Sequence, residues 1–418
     1  MKPETLRLAL ACGGIVFLGA FVAYREVPPR EVRALAAYPP DARGVPEVRV
    51  VIARRPEGAR VSVDGPFDIL GGTGPGDMTR LGPTNPSLAP ILVRGSGGGL
   101  AAGEDRLKHS AMEIRPHRGA EVRVDGVPLP GGVAFVRDAE GYGIAMVALT
   151  DVETYTCVAL AATSDWRERS NEALAAEAVA LRTRALYRRA AGLGRARVWD
   201  LEERSLAGAL RTGGHSSARI ARAVNSTRGL VLTWGQRLFP ATVTASCGGM
   251  TEDAANVFIA ESVTPLAGRA CEHCRDTPPP GVEWTVRIRT KRITEMLRPR
   301  VEGGGPRKLG KVKRVEIVST GTSGRATLLS VHADYGDFET DAEFFRAAMG
   351  GLIPAAPLVV RDAGPDVVEF SGRGEGPGVG LCRWGAERMA REGRSSDDIL
   401  AYYFPGAEVA ALPYRGRR

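Results

Sequence analysis

Several signatures of common activities are missing from this sequence of 418 residues. It contains neither the G-x-S-x-G motif of serine hydrolases nor the H-E-x-x-H motif of zinc proteases. Only 6% of the residues are aromatic, the basic residues are dispersed, and there is no zinc-finger spacing. We therefore expect no nucleic-acid partner, despite a net charge of +8. That charge suits an anionic cell-wall polymer or lipid headgroups, and solvated arginine-rich faces are the alternative.

The N-terminus has the pattern of an export signal or a membrane anchor. Lys2 and Arg7 precede an apolar run over residues 8–23. This length fits a signal peptide or a short single-pass anchor, and the absence of a clean A-x-A site favours the anchor, with a buried helix as the alternative. We expect residues 1–26 to be this segment and 27–46 to be a linker. The rest is then exported to the cell envelope, anchored or secreted.

Short β-type runs separated by turn-rich segments fill residues 47–150. This spacing predicts a strand-rich N-terminal portion, followed by an α+β core over residues 151–418. Within the core, the runs at 229–235 and 239–246 are typical of a β-hairpin. The runs of the N-terminal portion lie at 48–53, 59–65, 91–95, 121–126, 131–138 and 143–149.

The sequence NEALAAEAVALRTRALY predicts a helix over residues 171–187. Alanine, leucine, glutamate and arginine dominate it, and no glycine or proline interrupts it. Leu174, Ala178 and Leu181 recur at helical spacing, which indicates a buried apolar stripe. The α+β fold is expected to be organised around this helix, with Arg182 near its middle.

Four segments resemble the stage II sporulation protein D family, which shares its domain with the amidase enhancers. The helix carries the signature EALAAEAVALRTRAL, and the residues before it, VETYTCVALAATSDW, are similar to the family's VEDYL…EMP…W. SCGGMTEDAANVF at 246–258 resembles SSGG-T-E, and the glycine-rich stretch at 372–386 resembles GHGVGMSQWGA. The resemblance implies a strand-rich body whose central helix floors a cleft. It also implies an extracytoplasmic protein that handles peptidoglycan glycan strands.

Active members of that family cleave glycan strands as lytic transglycosylases, using one glutamate in the EMP portion. The resemblance places this glutamate at Ala161 or Thr163, neither of which can transfer a proton, and Pro377 replaces the signature histidine. An insertion before the helix carries Glu168, the candidate displaced acid, for which helix capping is the alternative. We therefore expect a peptidoglycan-directed protein that binds glycan strands with impaired or absent lytic activity. An active lytic transglycosylase using Glu168 is the alternative, and a cell-wall amidase is a candidate partner.

The glycine-rich segments are suited to lining a glycan groove with backbone donors, while hydroxyl groups bind sugar hydroxyls and a tryptophan stacks on a sugar ring. Ordinary turns, tight packing and a core tryptophan are the alternatives. The arginine of the signature helix either supports the cleft by pairing with a carboxylate or forms a structural salt bridge. The predicted substrate-binding residues are Arg182, Ser246, Gly248, Gly249, Thr251, Gly376, Gly378 and Trp384.

The cysteines predict a metal site. Cys271 and Cys274 have the C-x-x-C spacing that lets two thiolates hold one tetrahedral metal ion. Cys247 is the predicted third ligand, and His215 or His273 is a candidate for the fourth. The expected metal is zinc, and no other cofactor is expected. A disulfide in an exported protein, or reduced buried cysteines, are the alternatives that this spacing leaves open.

Overall fold

The protein is seen in a computed structural model that describes residues 44–74, 77–137, 143–163, 167–192, 199–202, 206, 209, 217–258, 263–302 and 308–414. The predicted membrane segment at 1–26, most of the linker and His215 lie outside the described residues. Within the described ranges, no helix combines the length and apolar character needed to cross a membrane. The described chain is a mixed α+β fold rich in strands, as predicted.

Two sheets form the N-terminal portion. One has the strand order β13-β1-β12-β11-β8-β3-β4 and the other the order β10-β9-β2-β5-β6-β7. All pairs are antiparallel except β1 with β13. The strands are β1 (Glu47–Arg55), β2 (Ala59–Asp64), β3 (Phe67–Gly72), β4 (Thr79–Arg80), β5 (Leu88–Ser96), β6 (Gly99–Ala102), β7 (Asp105–Leu107), β8 (Ala111–Pro116), β9 (Glu121–Val124), β10 (Val127–Leu129), β11 (Gly132–Arg137), β12 (Ile144–Asp151) and β13 (Leu201–Glu202).

The alternation of residues along these strands explains their place in the sheets. In β2, Val61 and Val63 are buried while Arg60 is exposed, as expected for a strand with one face on the core. β12 is buried from Ile144 to Thr150 because other elements cover both of its faces. Each of the six runs predicted in this portion contributes to a strand.

Eight α-helices occur among the described residues. Asp151 caps the first, where its carboxylate accepts the backbone N–H groups of Glu153 and Thr154. The helices are α1 (Val152–Ala161), α2 (Asn171–Gly192), α3 (Ala218–Ser226), α4 (Glu272–Arg275), α5 (Thr290–Glu302), α6 (Ala342–Ala348), α7 (Arg383–Arg391) and α8 (Ser396–Tyr403).

Helix α2 is the predicted central helix, and it continues to Gly192. Its predicted stripe, which includes Leu174 and Leu181, packs into a hydrophobic core shared with the two large sheets, which we call the first core. Its alanine-rich side, which includes Ala176 and Ala180, packs into a second core formed with α7 and α8. Small side chains let these helices approach α2 closely, so it is buried on both sides. Two small cavities, each of about 10 Å³, are lined by residues outside α2.

The remaining strands form small sheets. Their orders are β14-β25, β15-β24, β16-β17, β18-β23-β22 and β19-β20-β21. They are β14 (Leu230–Thr233), β15 (Val243–Thr244), β16 (Met250–Thr251), β17 (Arg269–Ala270), β18 (Glu283–Arg289), β19 (Val312–Thr320), β20 (Ala326–Ala333), β21 (Phe338–Asp341), β22 (Val359–Asp362), β23 (Val367–Arg373), β24 (Leu381–Cys382) and β25 (Glu408–Ala411).

The hairpin predicted over 229–246 was wrong. β14 pairs antiparallel with β25 near the end of the chain, and β15 pairs parallel with β24. Only a single bridge, between Trp234 and Arg237, closes the turn between the two runs. Partners that lie more than 130 residues away have replaced the local pairing.

Strands β18 to β23, with α5 and α6, form a unit that we call the inserted module (residues 283–373). It has its own hydrophobic core, which includes Ile293, Leu329 and Phe345. The chain leaves the second core shortly before β18 and returns to it just after β23. Both ends of the inserted module therefore join the same part of the molecule.

Candidate functional site

Four cysteines converge in the second core. The sulfur atoms of Cys247, Cys271 and Cys382 all lie within 4.8 Å of one another, and all three residues are buried. Cys274 lies on the same helical turn as Cys271, and its sulfur lies 3.3 Å from the hydroxyl of Ser246, the residue before Cys247. All five cysteines of the described residues, including Cys157 on α1, are free thiols. We call the four converging residues the cysteine cluster, and their arrangement could hold a metal ion.

Local structure brings these cysteines together from three parts of the chain. Cys247 follows β15, and Cys271 and Cys274 begin and occupy the single turn of α4. Cys382 ends β24, which pairs with β15, and its sulfur caps α7. The parallel pairing of β15 with β24 therefore places Cys382 beside Cys247.

Polar groups surround the cluster. The backbone N–H of Cys247 donates to the sulfur of Cys382 at 3.3 Å. The Ser246 hydroxyl lies 3.3 Å from the sulfur of Cys274, and the Tyr403 hydroxyl lies 3.2 Å from that of Cys271. Hydrogen bonds to sulfur of this kind orient and stabilise thiolates in metal sites.

Burial and mutual contact set the ionisation of the thiols. Burial raises the pKa of Cys382 well above its ordinary value. A hydrogen bond from Cys247 lowers the pKa of Cys274. Four thiols so close together cannot all ionise without a cation to balance their charge.

Arg325 of the inserted module reaches the cluster from outside. It is 3% exposed, and its Nη2 donates to the carbonyl oxygens of Cys247 at 2.7 Å and Arg373 at 3.0 Å. Burial lowers the pKa of Arg325, while the charges of Cys247 and Cys382 oppose this shift. A Cβ atom at residue 378 would lie 1.5 Å from its Nη1, which explains the glycine there.

Glu252 binds the turn that carries this arginine. Its carboxylate accepts the backbone N–H and hydroxyl groups of both Thr322 and Ser323, at 2.5 to 3.1 Å. Burial acts to raise the pKa of Glu252, but the Ser323 and Asn256 side chains and nearby N–H groups outweigh it and lower the pKa to about 2. Glu252 is therefore held ionised and links the inserted module to the segment that follows Cys247.

The predicted substrate-binding residues of the glycine-rich segments lie around the cysteine cluster. Ser246 and Thr251 are buried, and the Thr251 hydroxyl accepts the backbone N–H of Arg269 at 2.8 Å. Trp384 is half-buried, and its indole N–H donates to the carbonyl of Thr277 at 2.5 Å. Gly378 is buried, whereas Gly248, Gly249 and Gly376 are half-buried. Glycan binding by these residues stays a prediction. The half-buried residues among them are the ones that a ligand could reach.

Arg182 lies apart from this group, inside the first core. Its Nε and Nη2 donate to the two oxygens of Glu153 at 3.0 and 2.7 Å, and its Nη1 donates to the Leu230 carbonyl at 2.9 Å. It has no exposed surface. The expected carboxylate partner is thus Glu153, and this geometry is that of the structural salt bridge considered from the sequence.

The positions expected for the family's glutamate hold no proton donor. Ala161 is the last residue of α1, and the Thr163 hydroxyl donates to the Leu160 carbonyl at 2.7 Å. Glu168 is exposed and precedes α2, so it does not lie in that helix's first turn. Asp165, with which it has capping-box spacing, is outside the described residues. Whether Glu168 acts as an acid stays a prediction.

The candidate fourth ligand His273 turns away from the cluster. Its Nδ1 lies 3.3 Å from a carboxylate oxygen of Glu392, and its ring contacts Tyr402. Sequence reasoning missed Cys382, whose sulfur lies within 4.8 Å of those of Cys247 and Cys271, and it missed Arg325 and Glu252. The signal for Cys382 was present, because it is the one remaining cysteine next to a glycine-rich segment.

Comparisons with known proteins match two segments of this chain. Residues 140–234, which include α1, α2, α3 and β14, match the family model "Stage II sporulation protein". Residues 279–380, which contain the inserted module, match a "Domain of unknown function (DUF8618)". None of the four cysteines of the cluster lies within either matched range.

Three relatives illustrate the similarity. An uncharacterized protein of Brachyspira hyodysenteriae is 26% identical over 239 residues, 57% of this chain and 61% of that protein. The amidase enhancer of Bacillus subtilis is 23% identical over 243 residues, 48% of this chain and 34% of that protein. Stage II sporulation protein D of Bacillus subtilis is 42% identical over 45 residues, 11% of this chain and 13% of that protein. The chain thus spans less than two thirds of each relative.

The fold and the matched segment define the class: an α+β protein built around a buried helix of the stage II sporulation protein D type. The predicted resemblance is confirmed: this chain carries a segment that matches the stage II sporulation protein family model, and it is similar at low identity to an amidase enhancer and to a stage II sporulation protein D.

Proposed function

We propose that this protein binds peptidoglycan glycan strands in the cell envelope without cleaving them. Its family supports the target, because the relatives are named for sporulation and for amidase enhancement. The proposal that it does not cleave them rests on the two residues at the expected acid position, Ala161 and Thr163. Ala161 has no ionisable group, and the Thr163 hydroxyl is bonded to its own helix.

Cleaving a glycosidic bond requires a carboxyl group that protonates the leaving oxygen, and its pKa must be near the working pH. The buried glutamates beside α2 are held in other interactions. Glu153 pairs with Arg182, and Glu177 pairs with Arg169 and Arg383. Glu252, with its pKa lowered to about 2, cannot hold a proton at neutral pH.

Burial raises the pKa of one described carboxyl, Asp200, but it lies in the wrong place. Its carboxylate accepts the backbone N–H of Arg49 in β1, and it lies near Gly192 at the C-terminal end of α2. The expected acid position belongs to a different element, because Ala161 ends α1 and Thr163 bonds to Leu160 of that helix. We therefore do not assign the role of the missing glutamate to Asp200.

The surface proposed for glycan contact consists of the half-buried residues beside the cysteine cluster. Gly248, Gly249 and Gly376 expose backbone groups there, and Trp384 presents part of its ring. A sugar ring stacks well on an indole, while backbone groups bind hydroxyls. Recruitment of a cell-wall amidase to the bound strands fits the same role and is part of the proposal.

Co-sedimentation of the full chain with purified peptidoglycan sacculi tests binding. Because the chain carries a net charge of +8, the assay is run at low and high salt to separate specific contact from charge attraction. We expect retention at high salt and a several-fold loss in Trp384→Ala. Trp199→Ala is the control, because Trp199 packs against the N-terminal sheet beside Arg54. Binding that disappears at high salt, or that Trp199→Ala weakens equally, would contradict the proposed surface.

The second candidate function is lytic cleavage by Glu168. The exposure of the Glu168 side chain favours this candidate. The carboxylate is accessible, and Ser170, two residues later, is bonded to Glu387 of α7 at 2.7 and 2.9 Å. Its segment therefore adjoins the helix that follows the glycine-rich loop. Release of anhydro-muropeptides that Glu168→Gln abolishes, and that the exposed control Glu57→Gln preserves, would establish this candidate instead.

A further inference from the structure

The four cysteines of the cluster flank the inserted module in the chain. Cys247, Cys271 and Cys274 precede β18, and Cys382 follows β23. A bond among them therefore ties together the two points where the chain enters and leaves the module. Cross-links that close such long loops restrict the unfolded chain most strongly.

The spacing of the sulfur atoms suits a single ion. Zinc bound by thiolates has metal–sulfur distances of about 2.3 Å, which places tetrahedral ligands about 3.8 Å apart. Three of the sulfurs lie within 4.8 Å of one another, and Cys274 follows Cys271 on the same helical turn, with its sulfur 3.3 Å from the hydroxyl of Ser246 beside Cys247. Closing onto an ion thus requires small side-chain shifts and no rearrangement of the strands.

The surroundings supply the contacts that a metal–thiolate centre needs. The sulfur of Cys382 faces the N–H groups of Cys247 and Gly385, and two hydroxyls lie beside the other sulfurs. Four thiolates on a divalent ion carry a net charge of −2, and the buried guanidinium of Arg325 partly balances it.

We propose that Cys247, Cys271, Cys274 and Cys382 bind one zinc ion that fixes the inserted module to the second core. All four ligand positions are filled by protein sulfur, so the ion is structural rather than catalytic. This inference does not depend on glycan binding. It replaces a histidine with Cys382 in the ligand set expected from the sequence.

Metal analysis of the purified full chain is the first test. We expect one zinc per chain, four thiols that become reactive only after the metal is removed, and loss of the zinc in Cys274→Ser and Cys382→Ser. Cys157→Ser is the matched control, because Cys157 lies on α1 outside the cluster, and it should keep the full zinc content. Equal zinc loss in Cys157→Ser would contradict the assignment.

A second measurement covers the case in which the variants fail to fold. Cobalt exchanged into the unaltered chain should give the intense thiolate-to-metal absorption of a tetrahedral four-sulfur site. In a folded Cys274→Ser variant, this absorption should fall by about one quarter, as one of four thiolates is lost. Metal-free protein in which mass spectrometry finds a Cys271–Cys274 disulfide would overturn the proposal. So would a cobalt spectrum that Cys274→Ser leaves unchanged, which would indicate a three-cysteine site.

Discussion

Glu153 is the most heavily bonded carboxylate of the first core. It takes two hydrogen bonds from Arg182, one from the backbone of Gly229 and one from the Tyr414 hydroxyl at 2.8 Å. These contacts join α1, α2 and the C-terminal end of the described chain. The pair therefore positions the elements that the family match contains, without facing solvent.

Arg182→Met should destabilise the fold strongly, because it leaves the Glu153 charge buried without its cation. We expect a loss of about 3–5 kcal/mol in the free energy of unfolding, measured by urea denaturation. Arg292→Met removes an exposed pair on α5 and should cost less than about 1 kcal/mol. Equal losses in the two variants would show that the buried pair contributes no more to the free energy of unfolding than the exposed pair.

The lowered pKa of Glu252 makes the stability of the fold depend on pH. Its pKa is lowered from an ordinary 4.5 to about 2 by hydrogen bonds that outweigh burial. The stabilisation it provides is therefore full above pH 4.5 and is lost as pH falls toward 2. We expect Glu252→Gln to destabilise the fold at neutral pH by about 1–3 kcal/mol, and the difference from the unaltered chain to shrink on acidification. Urea denaturation of both chains across this range measures it, and a constant difference would refute the linkage.

The spacing of apolar residues predicted helices and strands correctly where buried positions recur regularly along a single element. The alternating valines of β2 and the alanine-rich sequence of α2 each fixed a strand or a helix correctly. The hairpin prediction at 229–246 was wrong because β14 and β15 pair with β25 and β24, which lie far along the chain. Periodicity identifies a strand but carries no information about its partner.

Helix α7 begins against the cysteine cluster, and Gly385 makes that contact possible. A Cβ atom there would lie 1.9 Å from the Tyr403 hydroxyl and 2.9 Å from the Cys271 sulfur. Gly385→Ala should therefore destabilise the fold by about 1–3 kcal/mol.

Tyr403→Phe removes the nearer obstacle, so Gly385→Ala should cost less in that background. Thermal unfolding of both single variants and the double variant gives the coupling energy. If the two effects add with no coupling, the close packing of α7 against α8 is not what requires the glycine.

At the scale of the whole molecule, the sequence predicted the family and part of the cysteine site. Cys271 and Cys274 were recognisable because they share one helical turn. Cys382 was missed although it adjoins a glycine-rich segment, because the inserted module separates it from the other cysteines in the chain and the pairing of β15 with β24 brings it back to Cys247. The contacts of Arg325 and Glu252 are of the same long-range kind.

We propose that the protein holds glycan strands and leaves them intact. The most direct measurement is the length distribution of glycan strands in purified sacculi before and after prolonged incubation with the full chain, determined by chromatography. We predict bound protein and an unchanged distribution of strand lengths. Progressive shortening with anhydro-sugar ends, lost when Glu168 is changed to Gln, would contradict it.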